Sequence, residues 1–254
     1  MKIGAQLFTV RDFTTDLNGF SETLKKVADI GYTTVQVSGT CEFDPAWLKA
    51  ELDKNGLTCV LTHTKGDKMI ADPVGVCRDH DVFGCTNIGL GAMAGRSGGM
   101  ESAYTTFCEQ FTSVIKAFKE NGHKFYYHNH HSEFEKDSNG MLYLDRMCED
   151  FSPELLGITF DTYWAQFGGV DPAEYLSKLS GRVQCIHLKD LAIFNSKQRM
   201  AVVGEGNINF DRIFKVAETV GVEYMLVEQD ECYGEDPFDC LRRSYEYLTS
   251  KGFN

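Results

Sequence analysis

Eight short apolar runs, near residues 3–8, 33–37, 57–62, 84–90, 123–128, 155–160, 182–188 and 222–227, alternate with longer stretches of helical spacing. This alternation constrains the chain more than any single motif, because strands joined by crossover helices pair in parallel. In the first interval Phe20, Leu24, Val27, Ala28 and Ile30 recur at three- and four-residue steps with Lys25 and Lys26 between them. That is the stripe of a helix with one buried face. Comparable patterns cover 45–55, 102–121, 140–150, 171–179, 209–220 and 237–251. Asp44-Pro45, Asp171-Pro172 and Asp236-Pro237 each put a capping side chain before a first-turn proline. Gly31, Gly56, Gly122 and Gly221 stand where helices stop and the next strand begins. No linker, charge block or low-complexity tract interrupts the series. The 254 residues therefore predict one domain over 1–254, an α/β chain folded as a (β/α)8 TIM barrel, a fold typically of about 250 residues. A doubly wound open sheet competes, but no G-x-G-x-x-G follows the first run.

Composition narrows the function. The net charge of −12 opposes a nucleic-acid partner, which demands a basic face. No run of 18 apolar residues exists to span a membrane, and the first residues enter a strand pattern directly, without a signal-peptide pattern. The nine cysteines are odd in number, scattered and never spaced C-x-x-C, and Cys59, Cys85 and Cys185 lie inside apolar runs. They read as reduced core thiols of a cytoplasmic protein.

Barrels keep their chemistry at the carboxyl ends of the strands. The fifth run ends as Phe125-Tyr126-Tyr127-His128-Asn129-His130-His131-Ser132-Glu133-Phe134. Three imidazoles, an amide and a carboxylate need partners, since each buried polar group left unpaired costs about 1–3 kcal/mol. A cleft at the strand end supplies them. Other strand ends carry Gln6 and Arg11, His63, Asp161, then His187 with Lys189 and Asp190, and finally Glu228 with Gln229 and Asp230.

These ends resemble the xylose isomerase-like TIM-barrel superfamily, in its sugar phosphate isomerase/epimerase group, which includes ketose 3-epimerases and inosose dehydratases. The likeness spans the whole chain. It is carried by Gln6-Leu7-Phe8-Thr9-Val10-Arg11-Asp12, Tyr127-His128-Asn129-His130 with Glu133-Phe134, and Phe160-Asp161-Thr162-Tyr163-Trp164. Ile186-His187-Leu188-Lys189-Asp190, Gly204-Glu205-Gly206 and Val227-Glu228-Gln229-Asp230 complete it. The resemblance implies a divalent metal held by Glu133, Asp161, His187 and Glu228, with Glu135 the alternative to Glu133. It implies Glu133 and Glu228 as catalytic bases on opposite faces of a bound sugar.

Three carboxylates and an imidazole suit Mn²⁺ best, with Mg²⁺, Co²⁺ or Zn²⁺ as alternatives. The expected activity is that of a metal-dependent sugar isomerase or epimerase removing a proton beside a metal-bound carbonyl. A lyase of the inosose dehydratase kind and a non-catalytic sugar-binding barrel are the alternatives. His63, His128, His130, Trp164, Lys189 and Glu205 are the expected substrate contacts. Lys189 or Arg11 could instead bind an oxyanion or pair with the site's acids. Asp161 could merely cap a helix, His187 could be a buried core histidine, and Glu228 a surface acid. In Gly204-Glu205-Gly206-Asn207 the glycines suit a phosphate loop but Glu205 would repel the anion, so a neutral sugar, keto-sugar, inositol derivative or glycoside fits as well. The expected partner is that small molecule alone, with neither nucleic acid nor membrane, and a homo-oligomer remains open.

Overall fold

The computed structural model describes residues 1–254. The eight apolar runs become β1 (Lys2–Gln6), β2 (Thr34–Val37), β3 (Thr58–His63), β4 (Asn87–Leu90), β5 (Lys124–His128), β6 (Leu156–Asp161), β7 (Cys185–Leu188) and, after an inserted hairpin, β10 (Tyr224–Val227). They pair in parallel in sequence order and close where β10 joins β1, with Lys2 opposite Tyr224 and Ala5 opposite Val227. The fold is the TIM barrel read from the alternation. Val60, Leu61, Tyr126, Cys185 and Leu226 pack together as a separate buried cluster, while the helices α1 (Leu17–Ile30), α2 (Pro45–Asn55), α5 (Met100–Glu120), α6 (Tyr143–Asp150), α8 (Pro172–Lys178) and α9 (Phe210–Val220) lie between the strands in sequence and α10 (Pro237–Ser250) follows the last of them.

The punctuation works as its chemistry predicts. Asp44, Asp171 and Asp236 each accept a hydrogen bond from a first-turn amide, with proline beside them. Gly56 and Gly221 end α2 and α9 in the left-handed conformation, which a side chain would oppose. Phe20, Leu24 and Val27 of α1 are fully buried. All nine cysteines are free thiols, with Cys59, Cys85 and Cys185 buried.

Three features lie outside the pattern reading. Between β3 and β4 the chain forms α3 (Gly66–Ala71) and α4 (Pro73–Phe83), the latter opened by Asp72-Pro73, a fourth use of the same cap. Its inward stripe is Val76, Cys77, His80 and Phe83, and the imidazole breaks the apolar periodicity. Directly after β6, α7 (Thr162–Phe167) begins with no loop. Following β7, β8 (Asp190–Phe194) and β9 (Lys197–Ala201) form an antiparallel hairpin that stands apart from the barrel sheet.

His80 explains its own burial. Its Nδ1–H donates to the Val76 carbonyl at 2.7 Å, and its Nε2 meets the Thr62 hydroxyl at 2.8 Å, tying α4 to β3. Burial lowers its pKa to about 4, against the helping carbonyl of Val76. The unfolded chain therefore binds a proton near pH 6.5 that the folded chain refuses until about pH 4. Stability from this group is full above pH 6.5 and is lost as pH falls toward 4. Over that window the unfolding free energy should fall about 1.4 kcal/mol per pH unit for this one proton, and denaturant titrations of His80→Gln should show that component of the slope removed.

Candidate active site

At the carboxyl end of the strands, four side chains from four neighbouring strands converge. One ligand atom each from His128 at the end of β5, Asp161 at the end of β6, His187 in β7 and Glu228 just beyond β10 lies within 4.8 Å of the others, and all four residues are buried. Parallel pairing sets this up, since Asp161 stands opposite His187 in register, and Leu226 opposite His187.

The hydrogen bonds of the two histidines decide how the ring nitrogens face. His128 Nδ1 lies 3.0 Å from the carbonyl of Gly91, which can only accept, so this nitrogen carries the proton. Nε2 is then a lone pair directed at Asp161 Oδ2, 3.2 Å away. Likewise His187 Nε2 donates to Gln36 Oε1 at 2.6 Å, leaving Nδ1 toward Glu228 Oε2 at 2.9 Å and Asp161 Oδ2 at 3.8 Å. His187 Nδ1 and Glu228 Oε2, although close, have no well-directed hydrogen bond. Two lone pairs and two carboxylates thus face one another with nothing but repulsion between them unless a cation or a proton intervenes. Burial opposes charging His187, but Glu228 and Asp161 outweigh it and raise its pKa.

Lys189 supplies part of that positive charge. Its ammonium is buried and lies 3.2 Å from Asp161, 2.9 Å from Glu228 and 2.9 Å from Asp230. Three carboxylates against one ammonium leave a deficit of two positive charges, the charge of a divalent ion. The donor set could therefore hold a metal, with the Gly91 carbonyl and Gln36 fixing the ring orientations as outer partners commonly do. Burial raises the carboxylate pKa values, yet Lys189 and the histidines hold both Asp161 and Glu228 below the usual range. Asp230, less well compensated, is pushed up to about 6 by burial and by Glu228.

Asp161 serves two purposes. Its Oδ1 caps α7 by accepting from Trp164 N at 2.8 Å, while Oδ2 faces the cluster. Gln6 also does double duty, its Oε1 accepting from Phe8 N and its Nε2 donating to Glu228 Oε1, both at 2.7 Å. A cavity of about 310 Å³ opens above the cluster, lined by Gln6, His63, His128, His130, Lys189 and Glu228 among others.

Glu133 stands elsewhere. Its Oε1 accepts from the Tyr127 hydroxyl at 2.6 Å, its Oε2 from His130 N at 2.8 Å and Ser132 Oγ at 3.0 Å, and Arg96 lies 3.6 Å away. Fully buried, it folds the loop after β5 and is absent from both the cluster and the cavity wall. The reason is reach: Glu133 sits in a short helical turn beyond the strand, whereas His128 lies in the strand itself. The exposed Glu135 is no substitute. Trp164 packs behind His130, ring centroids 5.3 Å apart. Glu205 is half-exposed and paired with Arg243 at 3.2 Å, away from the central cavity. Arg11 is committed to the carbonyls of Phe8 and Asp230.

The glycine loop is also spoken for. The carboxylate of buried Asp190 accepts from the amides of Leu191, Gly204, Gly206 and Ile208 at 2.8–3.2 Å. A Cβ on Gly206 would come within 2.4 Å of that carboxylate. The amides that would cradle a phosphate already hold an internal anion.

A buried cluster that could hold a metal thus stands at the carboxyl end of a closed parallel barrel. The chain belongs to the xylose isomerase-like TIM barrel family, whose model matches residues 24–250. Among curated proteins it is similar to inosose dehydratases, at 28% identity over 169 residues to that of Clostridium perfringens and 30% over 150 to that of Geobacillus kaustophilus. These matches cover 59% and 51% of this chain and 56% and 47% of the relatives, so the chain spans about half the length of the curated relatives it matches. Among solved structures, a sugar phosphate isomerase/epimerase from Parabacteroides distasonis superposes with a TM-score of 0.81 at 21% identity, over 98% of this chain and 93% of that one. An L-ribulose 3-epimerase superposes at 0.76 and 12%, over 98% and 94%. At these identities the structures share the fold.

Glu133→Gln separates the loop from the cluster. It weakens the bonds to Tyr127, His130 and Ser132 and should cost about 1–3 kcal/mol of stability, while the metal content of purified protein, measured by elemental analysis, stays at the parent level.

Proposed function

We propose that this chain is a divalent-metal-dependent enzyme that removes a proton from the carbon beside a carbonyl of a sugar or cyclitol derivative, with elimination of water as the favoured outcome. One observation carries the reading: His128, Asp161, His187 and Glu228 converge with both imidazole lone pairs turned inward. When bound, a divalent ion would polarise the carbonyl and stabilise the charge that develops on proton removal. Two imidazoles beside two carboxylates favour Mn²⁺, Co²⁺ or Zn²⁺ over Mg²⁺, which prefers oxygen donors.

The remaining work falls to the chain's own groups. Glu228, held ionised and anchored by Gln6, is the proposed base. The Lys189 ammonium steadies both Glu228 and Asp161, and His63 and His130 line the cavity where leaving hydroxyls need a proton donor or a hydrogen bond. Elimination is favoured over epimerisation because it needs one base, and Glu133, the candidate for the second face, is occupied with its loop. The names of the curated relatives support the same choice. Epimerisation is the second reading, favoured by the likeness to an L-ribulose 3-epimerase; it would require another cavity-lining group as second base.

Asp161→Asn and His187→Ala should each lose bound metal on dialysis under conditions in which the parent retains it, because a charge or a lone pair leaves the donor set. Full metal content in both variants would overturn the site. Chelation should lower the melting temperature of the parent by mass action.

Glu228→Gln should keep the shape of the site and lower turnover by roughly 10²–10⁴-fold. For the parent, NMR of candidate ketoses and inososes in D₂O distinguishes the outcomes. Loss of water supports the lyase; deuterium incorporation with inversion supports the epimerase.

A further inference from the structure

The central cavity has a neighbour. A second cavity of about 220 Å³ lies between the segments that follow β2 and β3, with α4 as its far wall. The two share Ser38, Gly39, His63, Thr64 and Lys65 as a common boundary. At about 30 Å³ per water, they correspond to roughly ten and seven waters, each enough for a single ring. The central cavity alone stands at the lower edge of the range of about 300–1,000 Å³ found for ligand sites, and the side cavity extends it further into that range.

The lobes differ in chemistry. The central one carries the titratable cluster. In the side lobe every charged group is already matched: Lys65 with Glu42 at 2.5 Å, and Lys68 with Asp79 at 3.3 Å. His80 has both ring nitrogens bonded. Val37, Phe43 and Phe83 give apolar walls, and Thr40, Thr64 and Cys41 give small polar edges. No charge is left over for an anion. Such a lining fits a neutral ring with an apolar face. On the boundary, His63 is held through Nδ1 by Ser38 Oγ at 3.2 Å, while its Nε2 is buried without a partner. A buried ring nitrogen of this kind has a hydrogen bond still to make, and one from a ligand at the boundary would supply it.

We propose that the substrate is a keto-sugar bearing a second, neutral ring through an ether oxygen, a glycoside whose reacting ring carries the carbonyl, rather than a free monosaccharide or a sugar phosphate. The reacting ring lies in the central lobe, the second ring lies between Phe43 and Phe83, and His63 Nε2 bonds near the link between them. The inference rests on the reading of the central site as a sugar-processing centre and names its substrate class.

Titration calorimetry with the metal-loaded protein tests this, using methyl, phenyl and glucosyl glycosides of glucose, galactose and mannose in both anomers, each with one hydroxyl of the reacting ring oxidised to the ketone. At least one ring-bearing glycoside should bind about tenfold or more tightly than the methyl glycoside of the same sugar and anomer. A larger gain for phenyl identifies an aromatic aglycone, and a larger gain for glucosyl a second sugar. Cys41→Trp, which fills the side lobe, should erase that gain and leave methyl glycoside binding intact. Should this variant fail to fold, the parent supplies a second measurement: the ring-bearing ligand should slow alkylation of Cys41 at least fivefold and leave Cys108 and Cys148 unaffected. Equal affinities across each series, a gain that survives Cys41→Trp, unprotected Cys41, or no binding by any member would overturn the inference. The metal retention of Asp161→Asn reads the central site independently, so failure of the substrate class and failure of the metal centre are distinguishable.

Discussion

The site depends on a crowd of acceptors. Gly91 and Gln36 each take the one available proton of an imidazole, which turns the other nitrogen of His128 and of His187 toward carboxylates that are themselves held ionised. Four electron-rich atoms of buried side chains are thereby brought together, an arrangement that costs free energy in the folded state unless positive charge enters. Lys189 supplies one unit and leaves room for more. The barrel bears the strain because each contributor is fixed to a different parallel strand, so no single loop can relax and separate them.

Much of this was legible in the sequence and some of it was not, for reasons that can be assigned. The eight strands follow from apolar runs that parallel pairing buries on both faces, and the caps follow from Asp-Pro pairs with only one comfortable place in a helix. Helix α4 was masked because His80 occupies a position on its buried stripe and interrupts the periodicity, although Asp72-Pro73 was there to be read. The β8–β9 hairpin has little burial to leave a pattern: Ile193 and Phe194 are more than half exposed.

At the site, Asp161, His187 and Glu228 stand at strand ends that the alternation marks out, and their convergence is a consequence of the fold. Glu133 is the instructive departure. Sequence distance makes it a neighbour of the cluster, but five residues past His128 the chain has already turned, and Tyr127, from the preceding strand position, claims its carboxylate. The tautomers of His128 and His187 are set by a main-chain carbonyl 37 residues away and an amide 151 residues away. No local pattern encodes such partners.

Asp190 has a consequence of its own. By folding its carboxylate onto four amides, the chain builds a counterfeit ligand into the loop where many barrels recruit phosphate. Order in that loop is thus independent of whatever phosphorylated metabolites the surroundings contain. The protein carries its own occupant there, and a phosphate group would have to displace it to reach the same amides.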